Sequence, residues 1–227
     1  MADVTAGQTA QAGVGAPRGM RRWLPALPGV LYVVTFVVAF LMVQTPNDDE
    51  ADKKWTDFYG DRGHQIQLLV TGFLLVIAAM LLLTFLTRLH SRIYGARTLD
   101  QRDPLPLVAA GTAGALIAAG GIVGATIPGA EIFGPHHTFG ADILRLTSDM
   151  SFPLIVVGGG FAIAVAIAVI TRAAQRSGYF GNKLSIFSYV AAAAAVAEFV
   201  FFPILVVLIW VLVVSVVLAR RPSLATG

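Results

Sequence analysis

The stretch LSIFSYVAAAAAVAEFVFFPILVVLIWVLVVSVVLA, residues 184–219, decides the fold. It runs for 36 residues with a single charge, Glu198. As one straight helix it would be about 54 Å long at ~1.5 Å per residue, far more than a hydrocarbon core of ~30 Å requires. Two spans of about 17 residues each fit instead, turning near Glu198–Pro203. Pro203 then falls in the first turn of the second helix, where its missing N–H leaves no bond unmade.

Four further uncharged windows precede it: Trp23–Val43, Gln67–Leu86, Leu105–Ile127 and Ser151–Thr171. The chain as a whole is 56% hydrophobic and 13% charged, where a soluble domain would be about a quarter charged. This reads as an all-α transmembrane helical bundle of six spans. Residues 1–22 form a disordered N-terminal tail, 23–219 one membrane domain and 220–227 a short C-terminal tail. A water-soluble enzyme, a disulfide scaffold and a disordered regulator are excluded. The chain has no cysteine, which removes disulfides, thiolate metal sites and Cys nucleophiles. A net charge of +3 gives no reason to expect a nucleic-acid partner; the expected partner is the lipid bilayer. The basic segment Arg18–Arg22 resembles the start of a signal peptide, but no small-residue cleavage site follows Val43, so an uncleaved first span is expected.

Six spans predict where the basic residues fall. Twelve of the 16 Lys and Arg occupy one set of compartments, in four groups: Arg18, Arg21 and Arg22; Arg88, Arg92, Arg97 and Arg102; Arg172, Arg176 and Lys183; Arg220 and Arg221. Only Lys53, Lys54, Arg62 and Arg145 lie opposite, together with ten of the 13 acids. Both termini are therefore expected in the cytoplasm of a multi-pass protein of the inner cell membrane. Five spans would strand Arg220 and Arg221 outside, directly after a helix.

Lipid tails are as apolar as Leu, so close contact between small residues must hold such helices together. Gly120-x-x-x-Gly124 in span three, and Gly158 and Gly159 in span four, are the packing candidates. Spans three to five are expected at the centre, with spans one, two and six, rich in Val, Leu and Phe, facing lipid.

No catalytic motif is present: no His-Glu-x-x-His, no Gly-x-Ser-x-Gly, no phosphate loop and no dinucleotide fingerprint. Polar side chains instead gather on the outer side. Asp61, His64, His136 and His137 combine carboxylate and imidazole, the donors that hold a divalent metal. Asp61 and His64 are three apart and share a helix face. The expected reading is a hydrated interfacial loop with no cofactor; a divalent metal is the alternative these residues offer. Asp142, Arg145 and Asp149 recur at i, i+3 and i+7 on an amphipathic segment that either lies in the interface or extends span four. If it extends, Arg145 and Asp149 can pair and face inward. Glu198 is either a proton-binding carboxylate or the wet end of a hairpin. The acidic run Asn47–Asp52 reads as solvated loop.

Arg176-Ser177-Gly178-Tyr179-Phe180, followed by a basic residue and another span, resembles a pattern in a family of uncharacterised bacterial integral membrane proteins. Gly29-Val30-Leu31-Tyr32 in span one is also similar. Gly181 stands where that family often has Pro, and the outer loops do not match. The resemblance implies a bundle of six or seven helices and no particular activity.

Three functions remain open. One is a non-enzymatic association or accessory subunit, joining a homo-oligomer or a membrane complex. The second is a small transporter or channel using Glu198, Asp149, Arg145 and Asp142. The third is a metal- or cofactor-binding membrane enzyme.

Overall fold

The computed structural model describes residues 23–43, 45–47, 49–95, 103–134, 139–198 and 202–220. The tails 1–22 and 221–227, and with them His136 and His137, lie outside the described residues.

All regular structure among the described residues is helical. In chain order the elements are α1 (Leu27–Met42), α2 (Asp52–Gly60), α3 (Arg62–Tyr94), α4 (Leu105–Phe133), α5 (Ala141–Pro153), a π-helical turn (Leu154–Gly158), α6 (Gly159–Arg176), α7 (Asn182–Val196) and α8 (Pro203–Arg220). Four are long and apolar enough to cross a membrane: α3, α4, the continuous α5–α6 helix and α8. Two shorter apolar helices, α1 and α7, accompany them. The 36-residue window breaks between Val196 and Pro203, and Pro203 opens α8.

The segment from Ala141 is continuous with α6 rather than lying apart from it. Pro153 has no N–H to give the turn before it, and the chain widens into the π turn directly after that residue before resuming as α6.

Six helices close into a ring in chain order. α1 packs on α3 and α8, α3 on α4, α4 on α6, α6 on α7, and α7 on α8. A ring gives every helix one inward face, and this corrects the expected division into central and peripheral spans. Phe85, Leu82 and Leu89 of α3, with Trp210 and Leu218 of α8, are among the largest fully buried side chains. α3 and α8, expected to face lipid, thus build the interior with their large residues. The small residues of α4 serve its close contacts. A Cβ on Gly120 would stand 2.5 Å from Ile155 Cγ1, one on Gly124 3.1 Å from Ser151 Oγ and one on Gly159 3.1 Å from Ile117 Cγ1. Gly158 faces Leu116 in the same way, at 3.0 Å. Ser151 Oγ donates to the Gly120 carbonyl at 2.8 Å, bonding α5 to α4.

α1 is tied to α3 at its C-terminal carbonyls and again just before its first residue. Gln67 donates to the Met42 carbonyl at 2.6 Å, and Arg88 to the Leu24 carbonyl at 2.6 Å. At that second end the buried His90 stacks on Tyr94 and its Nε2 lies 3.0 Å from the Asp103 carbonyl, closing the α3–α4 connection.

Candidate functional site

The end of the bundle that carries α2 has its own apolar cluster, built from Trp55 and Tyr59 of α2, Leu68 of α3, Ile127 of α4, and Ala141 and Leu144 of α5. The helix exists because Trp55, Phe58 and Tyr59 recur at i, i+3 and i+4, giving a short segment one apolar face. Trp55 is fully buried and stacks on Tyr59 at 6.2 Å between ring centroids.

Arg145 fixes this cap to α5. Its guanidinium donates to Asp52 Oδ1 at 2.7 Å and to the Glu50 carbonyl at 2.7 Å, and lies 5.6 Å from the Trp55 ring centroid. The expected pairing with Asp149 is therefore not made: Arg145 reaches across to α2, with Asp142 3.7 Å away on its own helix, while Asp149 points to solvent. The acidic run is correspondingly more than solvated loop, since Asp52 opens α2 and holds Arg145.

Beneath the cap lies a cavity of about 170 Å³. Phe36 and Phe40 of α1, Leu75 of α3 and Phe152 of α5 supply apolar walls, and Ile155 and Val156 of the π turn close one side. Thr71, Ser148 and Ser151 add hydroxyls, and Tyr59 reaches it from the cap. Burial pushes the Tyr59 phenol up to about 12, so at neutral pH it is an uncharged group. The lining is mostly hydrophobic with a few polar atoms, the composition of a small-molecule pocket.

The other candidates do not converge on this cavity. Asp61 caps α3: its Oδ1 accepts from the His64 N–H at 3.0 Å and lies 3.5 Å from His64 Nδ1, while the imidazole stacks on Phe58 at 4.1 Å. Among the described residues no group of three or more His, Asp or Glu is placed to hold a metal. Glu198 is not at a wet hairpin end. It is 4% exposed, folded against Gly160, where an added Cβ would stand 2.9 Å from its Oε2.

Further from the cap the bundle interior carries hydroxyls. Trp210 Nε1 donates to Ser188 Oγ at 2.8 Å, which explains a tryptophan deep inside the last span. Ser215 faces Gly29 so closely that any side chain there would collide with its Oγ.

Sequence reasoning missed α2 and the cavity. The Trp55/Phe58/Tyr59 spacing was the available signal for the helix; nothing in the sequence signals the cavity. Compared with known proteins, the chain matches no family model, no curated sequence and no solved structure.

Proposed function

We propose that this chain is a six-span integral protein of the inner cell membrane, both termini cytoplasmic, that takes a small apolar or amphiphilic molecule into the cavity under α2 from the outer side. This keeps the transporter class of reading but not its residues, because Asp142, Arg145, Asp149 and Glu198 do not line the cavity. The observation carrying it is the cavity: aromatic and aliphatic walls, a lining that includes Thr71, Ser148 and Ser151, and a cap pinned by Arg145. The distribution of Lys and Arg assigns the capped end to the outside. In this reading the two shorter apolar helices, α1 and α7, cross the membrane as well as the four long ones.

Native mass spectrometry of the protein released from its own membrane tests this reading. The expected result is a small bound mass on the wild type that is lost in Ser148→Trp, whose indole fills the cavity. Equal loading of both proteins, or none on either, rejects it.

Association remains a second reading, favoured by one observation. Gly111, Ala115 and Ala119 follow a four-residue spacing on α4 on its less buried side, with nothing within 4 Å of a Cβ placed on Gly111. Small residues at that spacing let a second helix approach closely. The same spectra read it directly, as a defined oligomer or a co-purifying chain.

A further inference from the structure

We propose that the Glu198 side chain, folded back from the α7–α8 turn against Gly160, is a proton-binding site in the interior of the bundle, occupied by its proton in the resting protein.

Glu198 is 4% exposed and makes no side-chain hydrogen bond or ion pair with any described residue. Gly160 is what admits it: a Cβ there would meet the Ala195 carbonyl at 2.5 Å and the Glu198 carboxyl at 2.9 Å. A main-chain carbonyl and a carboxylate brought together with no cation repel one another, whereas a carboxylic acid does not. An ionised carboxyl in apolar surroundings lacks the solvation that water gives, and the group neutralises instead.

The charges that could offset it are elsewhere. Tyr32 of α1, buried in the bundle interior, is a phenol and supplies no positive charge. Along α6 the ionisable residues are Arg172 and Arg176, three turns or more beyond Gly160; α8 has Arg220 at its far end, and α7 has Lys183 in its first turn, at the end away from Glu198. None of these cations reaches Glu198 by an ion pair. The site is also near the cavity: Val156, on the cavity wall, precedes Gly160 by about one helical turn. Release of the proton leaves a carboxylate and delivers H⁺ to water, so the site exchanges charge with the aqueous phase without any redox partner. The proposal depends on the membrane reading but not on the cavity's holding a ligand.

The test is dicyclohexylcarbodiimide labelling of the intact protein, mapped by peptide mass spectrometry across pH. The reagent takes the proton of a carboxylic acid on nitrogen and the carboxylate oxygen adds to its central carbon, so ionised acids are spared. The expected result is modification at Glu198 near neutral pH, with the exposed Asp49, Asp142 and Asp149 unmodified. Above its midpoint labelling should fall about tenfold per pH unit. A second readout needs no reagent access: the infrared carboxylic-acid carbonyl band of the wild type should be missing in Glu198→Gln. Absence of that band difference at neutral pH overturns the proposal. So does protection of Glu198 by sodium at constant pH, which would make the occupant a metal cation. Because neither readout involves the cavity, failure here leaves the ligand reading standing.

Discussion

Arg145 of α5 and Asp52 of α2 lie 2.7 Å apart, Nη1 to Oδ1, and this pair joins the cap to the longest helix of the bundle. Asp52 is mostly exposed, and Arg145 is only partly so. The ion pair itself is therefore worth ~0–1 kcal/mol. Arg145 has further partners in the Glu50 carbonyl and the Trp55 ring, each worth about 0.5–2 kcal/mol in such surroundings.

Asp52→Ala should accordingly leave the cap nearly as stable as before, within ~1 kcal/mol. Arg145→Ala should loosen it by about 1–3 kcal/mol. Hydrogen exchange over residues 52–60 reads the difference. Equal acceleration in both variants would mean that the ion pair alone holds α2.

Gly72 and Gly111 should respond oppositely to alanine. A Cβ on Gly72 would stand 2.6 Å from Ala125 Cβ and 2.7 Å from the Gly121 carbonyl, so the α3–α4 contact must open. Gly72→Ala is expected to cost about 1–3 kcal/mol. Gly111 faces open space, and Gly111→Ala should stabilise α4 by up to ~1 kcal/mol. Thermal unfolding in one detergent compares the two.

Tyr59 ties the cap's stability to alkaline pH. Its phenol is raised to about 12 by burial, above an ordinary value of ~10. Between those values the unfolded cap sheds a proton that the folded cap keeps, so stability falls as pH rises through that window. The full loss is on the order of 3 kcal/mol. Tyr59→Phe should remove this part of the pH dependence, with exchange of the α2 amides as the readout. An unchanged alkaline slope would show that the phenol titrates freely.

Because the chain has no cysteine, single substitutions report sidedness without background. Asp49→Cys should react with an impermeant maleimide from outside intact cells, and Ser177→Cys only after the membrane is opened. The reverse pattern would invert the topology that the arginines imply.

The helices were legible wherever one physical constraint dominated. A run with one charge in 36 residues, too long for one crossing and with Pro203 inside it, placed the α7–α8 break to within a few residues. What failed was the distinction between lipid and protein interior. Both are apolar, so Phe85 and Trp210 carried no mark of the side they face, and assigning their helices to lipid from composition misled. The cap was lost for a different reason: the acidic run before Trp55 drew attention to solvation, whereas the periodicity of Trp55, Phe58 and Tyr59 held the signal. Glu198 stood out as the lone charge of its window, but its burial depends on Gly160, 38 positions earlier. The cavity arises where the π turn after Pro153 meets Phe36 and Leu75, and no local pattern encodes that meeting.

The central claim is a capped cavity reached from the outside, and modification of Ser148→Cys in intact cells by a small impermeant thiosulfonate tests it most directly. The account predicts slow reaction from outside, acceleration of roughly tenfold when Arg145→Ala releases the cap, and no reaction at the interior control Ser188→Cys. A cysteine at position 148 that reacts only from the cytoplasmic side, or stays inert with the cap released, would contradict it.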